Sequence, residues 1–100
     1  MTEALDRRLH AFRPDLADEA LRGQVQADRF VEGEPARIGV PVAALRPVPD
    51  TSRGIDTELL LGEPVRVFDR KQGWAWVRAD QDGYVGYLHE RALAESEEAT

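Results

Sequence analysis

From residue 36 onward the apolar positions recur in short alternating runs broken by turn residues, the pattern of strands. In ARIGVPVAAL, Ile38, Val40 and Val42 fall at period two, predicting a first strand in which Pro41 marks an edge or bulge. RPVPDTSRGID is a long loop rich in Pro, Ser, Gly and Asp. TELLLGEPVRVFD predicts a second strand region, interrupted by a turn at Gly62-Glu63-Pro64, with Val65 and Val67 facing away from Arg66 and Phe68. RKQG is a turn, WAWVRA a third strand, and DQDG a tight turn into a fourth, YVGYL. Two aromatic and β-branched runs joined by Asp/Gly residues form the strongest hairpin signal in the chain. HERAL reads as a short helical turn and AESEEAT as a polar tail.

The first third is patterned differently. Residues 1–14 have no sustained period, and Pro14 blocks a helix and biases Arg13 to an extended backbone. This stretch reads as an arm packed by Leu9 and Phe12. DLADEALR, residues 15–22, is the best helix: Asp15 as N-cap, Asp18 and Glu19 in the first turn, Leu16, Ala20 and Leu21 on one stripe. Gly23 supplies the stop. A helix this short must dock on something to persist. A brief extended segment follows, from Val25 to Val31.

The predicted fold class is therefore mainly β: a small barrel or sandwich with a short N-terminal helix and an extended arm. Residues 1–35 form the arm, helix and strand packing on the barrel, 36–93 the barrel, and 94–100 a disordered acidic tail.

Composition narrows the function. The chain has 100 residues, enough for one domain, and 42% hydrophobic against 32% charged residues is ordinary for a globular fold. It has no cysteine, which removes disulfides, thiolate metal sites and cysteine nucleophiles together. The net charge of −6 resides in the ends, because residues 36–94 hold eight acids and eight bases. Without a basic block, nucleic acid and anionic membrane are poor partners. No apolar run is long enough for a membrane span or a signal peptide, so the chain as it stands reads as cytoplasmic.

Catalytic chemistry finds little support. The two histidines, His10 and His89, sit in no nucleophile motif. Asp80 and Asp82 precede a glycine, but a calcium loop needs more ligands than this turn offers. No cofactor or metal set is expected, and the chain alone is not expected to be an enzyme.

The aromatic residues say more. Four of seven lie between Trp74 and Tyr87. Alternation in WAWVRA puts Trp74, Trp76 and Arg78 on one face and Ala75, Val77 and Ala79 on the other. A small barrel has room only for the small face inside. The two Trp then lie outside, either as a recognition surface or covered by residues 1–35. One Trp covered and one beside a groove would satisfy both. Tyr84 and Tyr87 flank Gly86, where the missing side chain admits close approach of backbone or a ring. The 46–57 loop, carrying Arg46, Arg53 and Asp56, can border the same groove.

The order of these elements resembles a bacterial SH3 domain. Gly62, Val65 and Val67 match that family's glycine followed by alternating aliphatics. Gly73-Trp74 with Val77 matches its Gly-Trp strand, and Gly86-Tyr87-Leu88 its closing step. The resemblance covers residues 36–93 and implies an SH3-like barrel. LDRRLHAFRPDLADEALRG and the flanking QADRFVEGEPARI also resemble the start of NlpC-type cysteine peptidases of proteobacteria. Those proteins carry such domains ahead of a papain-like domain that cuts peptidoglycan stem peptides.

That catalytic domain needs a Cys and a His, and none of its residues can be carried over here. The resemblance implies a chain that continues, with this part a recognition or targeting module. Its partners would be murein stem peptides or muropeptides and its own catalytic domain. The ligand-binding residues would be Trp74, Trp76, Tyr84, Tyr87, Arg46, Arg53 and Asp56, since stem peptides offer both carboxylates and amines. The alternative is an intramolecular packing or protein–protein module with no small ligand, whose aromatic face docks on another domain.

Overall fold

A computed structural model describes residues 9–51 and 54–94. The architecture is mainly β, with eight strands in the order β1 Leu16–Asp18, β2 Arg29–Val31, β3 Glu34–Arg37, β4 Val42–Leu45, β5 Thr57–Leu60, β6 Pro64–Lys71, β7 Trp74–Ala79 and β8 Val85–His89. Two single 3-10 turns, Glu19–Leu21 and Glu90–Ala92, complete it, the second where HERAL predicted one. The acidic tail beyond Ala94 lies outside the described residues.

The centre is an antiparallel sheet ordered β3-β6-β7-β8. Pro35, which cannot donate to a ladder, is tolerated because β3 is an edge strand. The β7–β8 hairpin falls where the sequence placed it, and its turn is pinned by Ala79 and Tyr84, whose backbone N–H and C=O bond at 2.9 Å. The expected first strand is two: β3 ends before Gly39, and the chain restarts as β4 after Pro41. The restart shifts the alternation, so Ala43 and Leu45 point inward while Val42 is exposed.

The hairpin β4–β5 is a separate two-stranded sheet that meets β8 at Arg46. Arg46 and Tyr87 exchange both backbone hydrogen bonds, at 2.8 and 2.7 Å. Gly86 permits this approach, since a Cβ there would sit 2.7 Å from the Arg46 carbonyl oxygen. The ladders thus do not close into the expected barrel. The hairpin leaves β8 after this one bridge, where the long 46–56 loop departs.

The predicted helix over 15–22 is absent, and no α-helix occurs among the described residues. Leu16–Asp18 is instead a strand parallel to Arg29–Val31, with all three residues buried. A two-turn helix has little intrinsic stability, and long-range pairing with burial of Leu16 and Ala17 prevails. Asp18, not Asp15, caps the short turn that follows, accepting from the Ala20 N–H at 3.0 Å. Leu9 does not anchor the arm, being 43% exposed; Ala11, 1% exposed, does.

Two apolar cores result. The main one uses residues from Ala36 to Ala92 alone, centred on Ile38, Leu45, Leu59, Val65, Val77 and Leu88. The second lies on the opposite face of the sheet, where Ala11 and Leu16 of the arm cover Phe68, Trp76 and Val85. The small residues of WAWVRA therefore do face inward, while Trp76 is buried from the other side. An ion pair fastens the arm further: Asp18, 5% exposed, accepts from Arg78 at 2.8 Å.

Candidate functional site

The outer face of β6-β7-β8 is built in rungs. Register aligns Asp69 with Trp76 and Trp76 with Tyr87, and one step on it aligns Lys71 with Trp74 and Trp74 with His89. Paired residues share a face, so each rung presents three side chains together. A β-bulge sets this arrangement. The register shifts between Val67 and Asp69, leaving Phe68 as the extra residue. Without it, strict alternation from Val67 would send Asp69 to the main core side. The bulge re-aims Asp69 beside Trp76, on the face where Phe68 already joins the second core.

The first rung is bound to the arm. The Arg13 guanidinium lies 4.5 Å from the Trp76 ring centre and donates to Asp69 at 2.9 Å and to the Tyr87 hydroxyl at 3.3 Å. It also forks onto Asp15 with two bonds of 2.9 Å. Burial works against the Arg13 cation, but hydrogen bonds to Asp15, Tyr87 and Asp69 outweigh it and hold its pKa above the ordinary value. The same fork holds the Asp15 carboxyl below the usual range.

The second rung is more open. Trp74 stacks on His89 with ring centres 4.2 Å apart and planes tilted by 24°. Beside Trp74 lies a cleft of about 310 Å³ lined by Arg13, Pro49, Lys71, Gln72, Trp74 and Tyr87, together with Asp69 and the buried Trp76. Trp74 also borders a second, larger groove of about 750 Å³ with Arg70, Glu90 and Arg91. Arg70 and Glu90 pair across it at 3.2 Å.

Three of the seven residues expected at a ligand site, Trp74, Trp76 and Tyr87, meet at the cleft. They differ in access: Trp76 is 4% exposed under the arm, whereas Trp74 and Tyr87 are half-buried. The expected pair of outward Trp is thus one covered and one beside a groove. Tyr84 lies elsewhere, packed against the main core. Arg46 donates to the Thr51 carbonyl at 3.2 Å and braces its own loop. Asp56 is exposed and lines neither groove. Arg53 lies outside the described residues. The long loop does border the cleft, through Pro49.

Sequence reading missed Arg13, Pro49, Asp69, Lys71 and Gln72. The extended Arg13-Pro14 backbone was the one available signal for Arg13, since it keeps the side chain free to cross to the sheet. Nothing local to Asp69 announces the bulge.

Among the described residues no three His, Asp or Glu side chains gather as metal ligands. No helix among them is long and apolar enough to cross a membrane.

Residues 45–93 match the family model described as a bacterial dipeptidyl-peptidase Sh3 domain, a non-catalytic type of module found in peptidase-associated proteins. No curated protein and no solved structure matches the chain.

Proposed function

We propose that the bacterial SH3 domain in this chain recognises murein stem peptide on behalf of an NlpC-type peptidase, as an accessory module with no catalytic step of its own. The observation that carries this is the cleft beside Trp74: aromatic and proline walls from Trp74, Tyr87 and Pro49, together with Lys71 and Asp69. Clefts that combine apolar walls with a few placed charges suit short peptides carrying carboxylates and amines. The matched family supports the setting, because it places such domains with peptidases.

Titration of the labelled domain with muropeptides tests it. The Trp74 indole signal is expected to move at millimolar ligand, together with Lys71 and Gln72 amides at the cleft edge. Unmoved Trp signals at that concentration would sink the proposal.

A second reading has its own observation. Val42, Leu60 and Leu61 are 51%, 55% and 64% exposed. Val42 pairs with Leu60 at the end of the β4–β5 hairpin remote from Leu45 and Thr57. Such an apolar surface suits contact with a neighbouring domain. Packing through the aromatic face, as the sequence suggested, is disfavoured because Trp76 is already covered by the arm. Leu60→Ser with Leu61→Ser should then raise solubility and leave muropeptide affinity unchanged.

A further inference from the structure

The β6–β7 turn places a glutamine where its backbone favours asparagine or glycine. Gln72 has φ of 55°, the one positive-φ residue other than glycine among those described, and Gly73 follows at 86°. Two consecutive left-handed residues make the tight hairpin turn for which Asn-Gly or Gly-Gly is the relaxed choice. A glutamine is disfavoured there by the contact of its Cβ with the backbone. No hydrogen bond of the Gln72 side chain to the described residues offsets this. The hairpin needs the positive φ but not the glutamine, which is grounds for asking what its side chain does.

Its position supplies an answer. Gln72 and Trp74 line both grooves, the 310 Å³ cleft with Pro49 and Tyr87 and the larger one with His89 and Arg91. Lys71, beside it, is exposed and makes no ion pair with the described residues. Arg13, the other cation of the cleft, is already held by Asp15 and Asp69. Lys71, whose charge also acts on Asp15, is therefore the cation of the cleft without a hydrogen-bonded or ion-paired partner among the described residues.

The geometry points to the Lys71–Gln72 turn as the element that selects a carboxylate-bearing peptide. The Lys71 ammonium takes a carboxylate of the ligand. The Gln72 amide, donor and acceptor at once, takes the adjoining peptide group. Trp74, Tyr87 and Pro49 cover the apolar part. A free inorganic anion would leave those walls unused, and an amine would meet the wrong charge at the rim. This assignment rests on the peptide-recognition reading and specifies which chemistry the cleft selects.

The test compares a stem tripeptide with the same peptide whose carboxylates are converted to amides. Both are titrated into the wild-type domain, Lys71→Gln and Gln72→Gly, with thermal melts of each. The wild type should bind the carboxylate form about fivefold more tightly, the scale of one exposed ion pair. That preference should shrink with added salt and vanish in Lys71→Gln. Gln72→Gly should melt higher, through relief of the turn, and bind both peptides roughly threefold more weakly. Equal wild-type affinity for the two peptides overturns the carboxylate assignment while leaving peptide recognition standing. So does a Gln72→Gly domain that melts higher and binds unchanged, for the part given to Gln72. Failure of the wild type to bind either peptide removes the recognition reading and this inference with it.

Discussion

Gly86→Ala tests how the long loop is held over the cleft. The new Cβ would lie 2.7 Å from the Arg46 carbonyl oxygen and 2.8 Å from Leu45 Cγ, where ordinary contacts begin at 3.4 Å. Neither neighbour can yield cheaply. Leu45 is 0% exposed in the main core. The Arg46 oxygen is fixed as acceptor of the Tyr87 N–H at 2.7 Å, and Arg46 N–H donates back at 2.8 Å. Relief of about 0.7 Å would stretch both bonds to the weak end of their range. Overpacking of this kind costs about 1–3 kcal/mol, and each weakened hydrogen bond adds up to about 1 kcal/mol. We expect a loss of about 2–4 kcal/mol, or roughly 10–25 °C in melting temperature for a domain of this size. Urea and thermal melts read the stability, and hydrogen exchange reads the Arg46 and Tyr87 amides, which should lose protection before the rest of β8. Gly54→Ala is the control: nothing lies within 4 Å of its built Cβ and its φ is not in the left-handed range. It should leave stability unchanged or slightly raised. A Gly86→Ala protein that melts with the wild type and keeps both amides protected would refute the close-approach argument.

Three further outcomes follow from the second core. Trp76→Ala should cost about 3–5 kcal/mol in a urea melt, because it empties the site that Ala11, Leu16 and Phe68 share. Asp18→Ala should cost about 1–3 kcal/mol, since it strips Arg78 of its partner and the 3-10 turn of its cap, while Asp18→Asn keeps the cap and should cost less. Acid should loosen the arm at Asp15. Its carboxyl is held down by the Arg13 hydrogen bonds, so the stability it adds is full above the ordinary aspartate range and is lost as pH falls through the lowered value. Because Asp15 is largely exposed the effect is well under about 1 kcal/mol, visible as a difference in Trp fluorescence between wild type and Asp15→Asn that closes as the pH falls through the lowered Asp15 value.

Local patterning carried the sheet further than it carried the site. WAWVRA-DQDG-YVGYL became β7, a turn and β8 because alternation and turn chemistry agreed there. DLADEALR failed as a helix because its helical cues were correct but weak, and pairing with Arg29–Val31, invisible to any local window, decided the outcome. The alternation rule placed Trp74 and Trp76 on one outer face correctly. It could not say that Arg13, distant in sequence, would cover one of them. Asp69 escaped notice for a different reason. One extra residue, Phe68, reverses the parity of the strand, and no residue type at that point signals a bulge.

The same facts bear on what counts as the functional unit. The main core draws on residues from Ala36 to Ala92 and is complete without the arm. The cleft is not. Arg13 forms one wall of it, neutralises Asp69 and fixes the Tyr87 hydroxyl, while Ala11 and Leu16 keep Trp76 buried. Removing the arm would expose Trp76 and Phe68, free the Asp69 carboxylate and take away Arg13 and its partner Asp15 together. The residues that match the bacterial SH3 family begin at position 45, so the wall supplied by Arg13 comes from outside them. The domain fold and the binding surface therefore have different boundaries. The arm belongs to the second, and it shapes the cleft in which the proposed peptide would lie.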